Sequence, residues 1–242
     1  MGFFIRAKLY FRQLIGQEPR TNVEIACECR HIHEWCICPV GIDSASSVFS
    51  LGVGNDIGFD TGLIKDFNCS VYAFDPTPRW VEWIGSMSLP EKFKFYPYAI
   101  GGTDGTMKLF PRIHKGRRSS KMLTLLNEGL HDDESIAVTM KRLSTLTAEL
   151  SVPSIAILKI DIEAAEYEVI DDFLADHVPV YQLLVEFHHR FASVPVKKTT
   201  DALAKLYKAG YRIFYVSEKA REYSFIHEAT YDGYRRQAGK SS

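Results

Sequence analysis

The chain is short of several things, and each shortage removes a class of protein. Net charge is −1 over 242 residues, so nothing global points to a nucleic acid or another polyanion as partner. No apolar run approaches the length of a membrane span. No internal repeat or low-complexity tract is present. Cysteine is scarce, five in all, and four of the five crowd into the twelve residues from Cys27 to Cys38. The opening stretch, Met1 to Gly16, interleaves Phe3, Phe4, Ile5, Leu9, Phe11 and Leu14 with Arg6, Lys8 and Arg12. Those charges break up any signal-peptide core, and Arg6 defeats a myristoylation pattern. The expected compartment is the cytoplasm. An amphipathic helix over this opening packs on the domain or on a partner, with peripheral membrane contact as the minority reading.

The crowded cysteines come with two histidines, as Cys27-Glu28-Cys29-Arg30-His31-Ile32-His33-Glu34-Trp35-Cys36-Ile37-Cys38. Zinc knuckles use C-x₂₋₄-C spacing, whereas these are C-x-C and H-x-H. A period of two reads as a strand or hairpin, with Val23, Ile25, Cys27, Cys29, His31 and His33 on one face. Zinc is the weaker alternative, and no metal ligand is assigned. No secretion signal supports a disulfide.

The most informative stretch is Ser47 to Asp75. Val48 to Leu51 is an apolar, β-prone run, and Gly52-Val53-Gly54-Asn55-Asp56-Ile57-Gly58 is a turn. Phe59 to Phe67 forms a short helix stopped by Asn68, and Val71 to Phe74 is a second strand closed by Asp75. This is a βαβ unit with a nucleotide-type site at its first turn. Glycine belongs there because a Cβ would hold the backbone away from a ligand. A dinucleotide fingerprint wants G-x-G-x-x-G. Here the third glycine is displaced by Ile57, and Asp56 stands where a pyrophosphate would pass. A carboxylate there suits a cationic cofactor such as S-adenosyl-L-methionine better than NAD. The bland alternative is a glycine-rich turn that binds nothing.

The rest of the chain continues the pattern. Thr77 and Pro78 start a helix after Asp75. Phe93 to Tyr96 is a strand, and the Tyr98 to Gly102 loop borders the cofactor pocket. His114 to Lys121 is basic, and reads either as an anionic-substrate loop or as a solvated loop. Ile155 to Ile160 is a buried central strand running into Asp161-Ile162-Glu163-Ala164-Ala165-Glu166. A helix follows to about Leu174. Val180 to Phe187 is the next strand, ending at Glu186, His188 and His189 on the same sheet edge. Tyr211 to Val216 and Tyr223 to His227 lack a crossover helix between them, so they pair antiparallel.

The chain resembles the FkbM-type methyltransferases over roughly Pro39 to His227. The resemblance is carried by Val48 to Asp56, by Ala73-Phe74-Asp75-Pro76-Thr77-Pro78, by Leu158-Lys159-Ile160-Asp161-Ile162-Glu163-Ala164-Ala165-Glu166, and by Leu184 to His188. It departs at Ser50, where the family often has an acid, and at Ala164, where a glycine is usual. Alanine at that point reads as a tolerant helix start. The implied fold is α/β: a class I methyltransferase, Rossmann-like, doubly wound sheet, mostly parallel, with an antiparallel C-terminal hairpin. Residues 1–46 form a helix and Cys/His strand extension, and 47–242 the S-adenosylmethionine-binding domain. The implied activity is methyl transfer from that cofactor to a hydroxyl of a small molecule, sugar or lipid. Gly52, Gly54 and Asp56 line the methionine part, Asp75 holds the ribose, and Ala99 and Ile100 flank the adenine. Asp161, Glu163, Glu186 and His188 form the catalytic cluster. His188 is the expected base, because an unperturbed imidazole titrates near neutrality. The alternative role for Asp161 and Glu163 is helix capping. A divalent cation held by these carboxylates is a minority alternative, as are a non-catalytic binding module and an NAD-linked oxidoreductase.

Overall fold

The computed structural model describes residues 2–114, 117–127 and 129–238. The chain begins with α1 (Gly2–Leu14), which leaves Tyr10, Phe11 and Leu14 exposed. It continues as an extended segment into a hairpin, β1 (Arg30–Ile32) and β2 (Trp35–Ile37). Then come β3 (Ser47–Leu51), α2 (Gly58–Phe67), β4 (Ser70–Phe74), α3 (Pro78–Gly85) and β5 (Phe93–Tyr96). Next are β6 (Ala99–Ile100), β7 (Gly105–His114), β8 (Arg117–Thr124) and β9 (Ile136–Lys141). The second half holds α4 (Leu143–Glu149), β10 (Ile155–Ile160), α5 (Glu166–Ala175), β11 (Val180–Glu186), α6 (Val196–Lys208), β12 (Tyr211–Val216), β13 (Glu222–His227) and α7 (Glu228–Ala238). None of the described helices is long and apolar enough to cross a membrane.

The main sheet has seven strands in the order β12-β13-β11-β10-β3-β4-β5. Neighbours from β11 through β5 are parallel, and β13 runs antiparallel to both of its neighbours. The two terminal strands are therefore antiparallel, as their short connection requires. The last strand does not lie at the edge; it inserts between β11 and β12. The expected topology holds in this respect, while α7 is an element that the sequence did not suggest.

Side chains alternate across the sheet and fill a core on each face. Phe49, Leu51, Phe74, Leu158, Leu183 and Val185 pack with α4, α5 and α6 residues such as Leu146, Phe173 and Leu206. Val48, Val71, Ala73, Ile157 and Leu184 pack on the other face with Leu63 and Ile84, from α2 and α3. Helices on both faces explain why the central strands read as nearly continuous apolar runs. A second sheet, ordered β6-β9-β7-β8, stands apart with its own small core of Ala99, Leu109, Val138 and Met140.

The Cys/His segment is a hairpin, one of its two expected forms. Its turn is at His33, which takes a positive φ of 52°. The reversal moves the buried face: Ile32, Trp35, Cys36, Ile37 and Cys38 are buried, whereas Cys29, His31 and His33 are exposed. The expected inward face is thus largely outward, because residues 23–29 form no strand and the strand that starts at Arg30 turns Ile32 inward. Cys29 and Cys36 are joined across the hairpin as a disulfide, which no secretion signal supports. The hairpin belongs to the same core as α2 and β3. In the basic stretch, Lys115 and Gly116 lie outside the described residues; Arg118 pairs with Glu134.

Candidate functional site

The first turn is built by a steric demand. Gly52 follows β3 with φ of +77°, and a Cβ there would lie 1.7 Å from the carbonyl oxygen of Asp161. Only glycine lets the ends of β3 and β10 approach this closely. The Gly52 N–H donates to the Phe74 carbonyl at 2.9 Å, and its own carbonyl accepts from Lys159 Nζ at 2.7 Å. Gly54, also at positive φ, donates its N–H to Asp75 Oδ2 at 2.9 Å. Asp75 Oδ1 accepts from the Thr77 N–H at 2.9 Å. One carboxylate therefore ties the glycine turn to the start of α3, and each oxygen keeps a second lone pair.

These turns frame a cavity of about 430 Å³ at the carboxyl ends of β3, β4 and β10. That is within the usual size of small-molecule sites. Gly52, Gly54, Asp56, Asp75, Ala99, Ile100, Asp161 and Glu163 all line it. Asp75 and Asp161 thus face one cavity from two different strands. Asp56 caps the start of α2 by accepting the Gly58 N–H at 2.7 Å and sits 3.4 Å from His33 Nε2. Of the expected residues, Glu186 and His188 do not line the cavity; they stand behind Asp161.

Other lining residues were not foreseen. His33, Glu34 and Trp35 come from the hairpin, Asp60 and Phe59 from α2, and Met122 to Leu125 from β8 and the residue after it. Lys159 is also among them; it is buried, and its ammonium lies over the Trp35 ring at 5.6 Å. A lysine inside an otherwise apolar strand is the sequence signal that should have marked it. Asp60 is buried beside Ser50; burial pushes its carboxyl up, against the pull of Lys159. Asp60 thus sets a carboxylate from α2 beside Ser50.

Behind Asp161 lies a dense acidic cluster around one imidazole. His188 is buried, with Nε2 3.7 Å from Asp161 Oδ1 and 4.0 Å from Glu163 Oε2. Its Nδ1 is 3.4 Å from Glu166 Oε2, without the alignment of a hydrogen bond. The fully buried Glu166 instead accepts the His188 backbone N–H at 2.8 Å. Burial disfavours the charged ring, but Glu166, Asp161 and Glu163 outweigh it and push His188 up to about 9. The expectation of a base titrating near neutrality is therefore not met: the imidazole holds its proton at pH 7. Burial and Asp161 push Glu186 up to about 7, and Arg221 Nη1 lies 3.3 Å from it. Burial also pushes Glu163 up, although Arg112 Nη1 donates to its Oε2 at 3.0 Å.

Asp161 and Glu163 do not cap α5. The helix begins at Glu166 with Ala165 as its N-cap, and Glu163 and Ala164 take φ of 51° and 84°. The reading of Ala164 as a tolerant helix start is corrected by this turn. It lies in the left-handed region, where glycine is at ease and alanine is strained.

A cavity beyond the carboxyl ends of parallel strands, closed by a glycine turn and two strand-end aspartates, defines an α/β domain with a strand-end ligand site. The family description "Methyltransferase FkbM domain" matches residues 44–213, and the chain belongs to that methyltransferase family. A crystal structure of methyltransferase FkbM from Methylobacillus flagellatus KT is similar at 10% identity and a TM-score of 0.45, over 76% of this chain and 44% of that one. The chain thus spans less than half the length of that relative. No curated protein sequence matches it.

Proposed function

We propose that the chain is an S-adenosyl-L-methionine-dependent O-methyltransferase of the class I, Rossmann-like type, acting on a hydroxyl of a small molecule, sugar or lipid. The observation that carries this reading is that Asp75 and Asp161 line one cavity across the Gly52–Gly54 turn. The charge of the cavity supports the choice of cofactor. Asp56, Asp60, Asp75, Asp161 and Glu163 face Lys159 there, a balance that attracts a cation and repels a pyrophosphate. When bound, the cofactor supplies an electrophilic methyl group.

The chain's own residues do the rest. The free lone pairs of Asp75 accept from ribose hydroxyls. Ala99 and Ile100 offer an apolar wall to a base. Asp56 and Asp161 meet positive charge. Glu163 takes the proton of the acceptor hydroxyl; its burial makes the carboxylate a stronger base than an exposed one. Arg112 and the Thr124 hydroxyl, which donates to the Glu163 carbonyl at 2.7 Å, hold that residue in place. Catalysis of an in-line displacement then depends on alignment and on removing that proton.

Calorimetry decides the cofactor. S-adenosyl-L-methionine should give saturable heat and NAD none, and the reverse result overturns the proposal. Asp75→Asn should weaken cofactor binding by about 10- to 100-fold, the loss of a charge-assisted hydrogen bond. Tritiated methyl transfer into fractionated cell extract would identify the acceptor.

A further inference from the structure

We propose that Asp161, Glu186 and His188 form a divalent-cation site beside the cavity, and that the cation draws in and orients the oxygen of the methyl acceptor. The three residues offer ligand atoms that all lie within 4.8 Å of one another. Acidic groups alone would not point to an ion. The second observation is the imidazole, which is buried to 6% exposure and makes no aligned hydrogen bond at Nδ1. Its Nε2 aims at Asp161 and Glu163 over 3.7 and 4.0 Å. Those gaps are too long for a hydrogen bond. The 3.7 Å gap to Asp161 is one that two metal–ligand bonds of about 2.1 Å bridge when they meet at one ion at an open angle.

The surroundings follow the same logic. A metal-bound histidine commonly turns its other ring nitrogen toward a carboxylate, and Nδ1 faces Glu166 Oε2 at 3.4 Å. Glu166 is itself fixed by the His188 backbone N–H, so it serves as a positioning residue. Two carboxylates and one neutral imidazole balance a divalent ion and suit manganese or another first-row metal, which on binding releases to solvent the proton that His188 holds at pH 7. Three protein ligands leave further coordination positions for water or an acceptor oxygen. Two cations on the chain compete for the same acids: Arg221 at 3.3 Å from Glu186 and Lys159 at 4.0 Å from Asp161. Neither reaches His188 in these contacts.

The inference rests on the methyl-transfer reading for its role but not for its test. Mn²⁺ is titrated into the purified full chain, with free ion followed by electron paramagnetic resonance. One equivalent should bind saturably, and Asp161→Asn, Glu186→Gln and His188→Gln should each weaken binding at least tenfold. Wild-type protein labelled with ¹⁵N-histidine should show one nitrogen coupled to the manganese, a readout that does not depend on any variant folding. Asp75→Asn should lose cofactor affinity and keep Mn²⁺ affinity. No saturable binding at millimolar Mn²⁺ overturns the site, as does the absence of nitrogen coupling. Binding that survives His188→Gln but is lost in His31→Gln would place the ion on the hairpin instead and overturn it equally. Cofactor binding without Mn²⁺ binding sinks this inference alone; loss of cofactor binding in the wild type sinks the methyl-transfer reading instead.

Discussion

Two neighbouring histidines meet opposite fates. His188 sits among Asp161, Glu163 and Glu166 with no contact shorter than 3.4 Å from its ring nitrogens. His189 points away from that cluster, and its Nε2 meets Glu18 Oε2 at 2.7 Å in a fully buried pair. Glu18 also takes Arg190 Nε at 2.5 Å and Arg12 Nε at 2.8 Å. Each Glu18 oxygen is satisfied, so this buried charge is an anchor for the segment after α1. Around His188 the acids find partners elsewhere, in Arg112, Arg221 and a backbone N–H, while Glu166 Oε2 and the ring's Nδ1 lack a hydrogen bond, unlike the fully paired Glu18.

Breaking the anchor should have the largest effect. Glu18→Gln strands His189 and Arg190 and should cost about 3 kcal/mol of stability, read as a lower denaturation midpoint. Burial alone would raise the Glu18 carboxyl, but His189 and Arg190 bring it down to about 2, from 4.5. A depressed carboxyl stabilises the fold above its unfolded value, and that contribution disappears as pH falls. Wild-type stability should therefore drop between about pH 4.5 and 2 by more than the variant's does.

Glu186→Gln sharpens the contrast by reversing its sign. Removing a buried charge from an overcrowded acidic cluster should stabilise the metal-free protein by about 1–2 kcal/mol while lowering methyl transfer at least tenfold. A loss of both would make Glu186 a structural acid like Glu18. Smallest of all is Ala164→Gly, outside both histidine environments. Relief of left-handed strain, less the added freedom of the unfolded chain, should leave a gain of about 0.5 kcal/mol. A thermal melt checks it.

Much of this was legible in the sequence, and the failures share a cause. The βαβ unit from Ser47 to Asp75 and the strand into Asp161 could be read because their periodicity and punctuation are local. The Phe67 stop at Asn68 is confirmed by its left-handed cap. The hairpin was one of the two expected forms, but its turn could not be placed because His33 and Glu34 make it without glycine, proline or asparagine. Its role at the cavity escaped because only tertiary packing brings Trp35 over Lys159. The α5 start was misplaced because a composition good for a helix says nothing about a turn imposed by Glu163 and Thr124. The charge state of His188 was unreadable for the same reason: three carboxylates from two elements of the chain set it.

The placement of β13 has a consequence for synthesis. Until Glu222–His227 has left the ribosome, β11 has no partner on that side, since β13 is the strand that joins it to β12. The emerging chain carries an edge strand, Val180 to Val185, apolar but for Gln182 and open to other nascent chains. A premature stop before residue 222 would therefore yield aggregate rather than a smaller folded domain, because the strand that covers this edge would be missing.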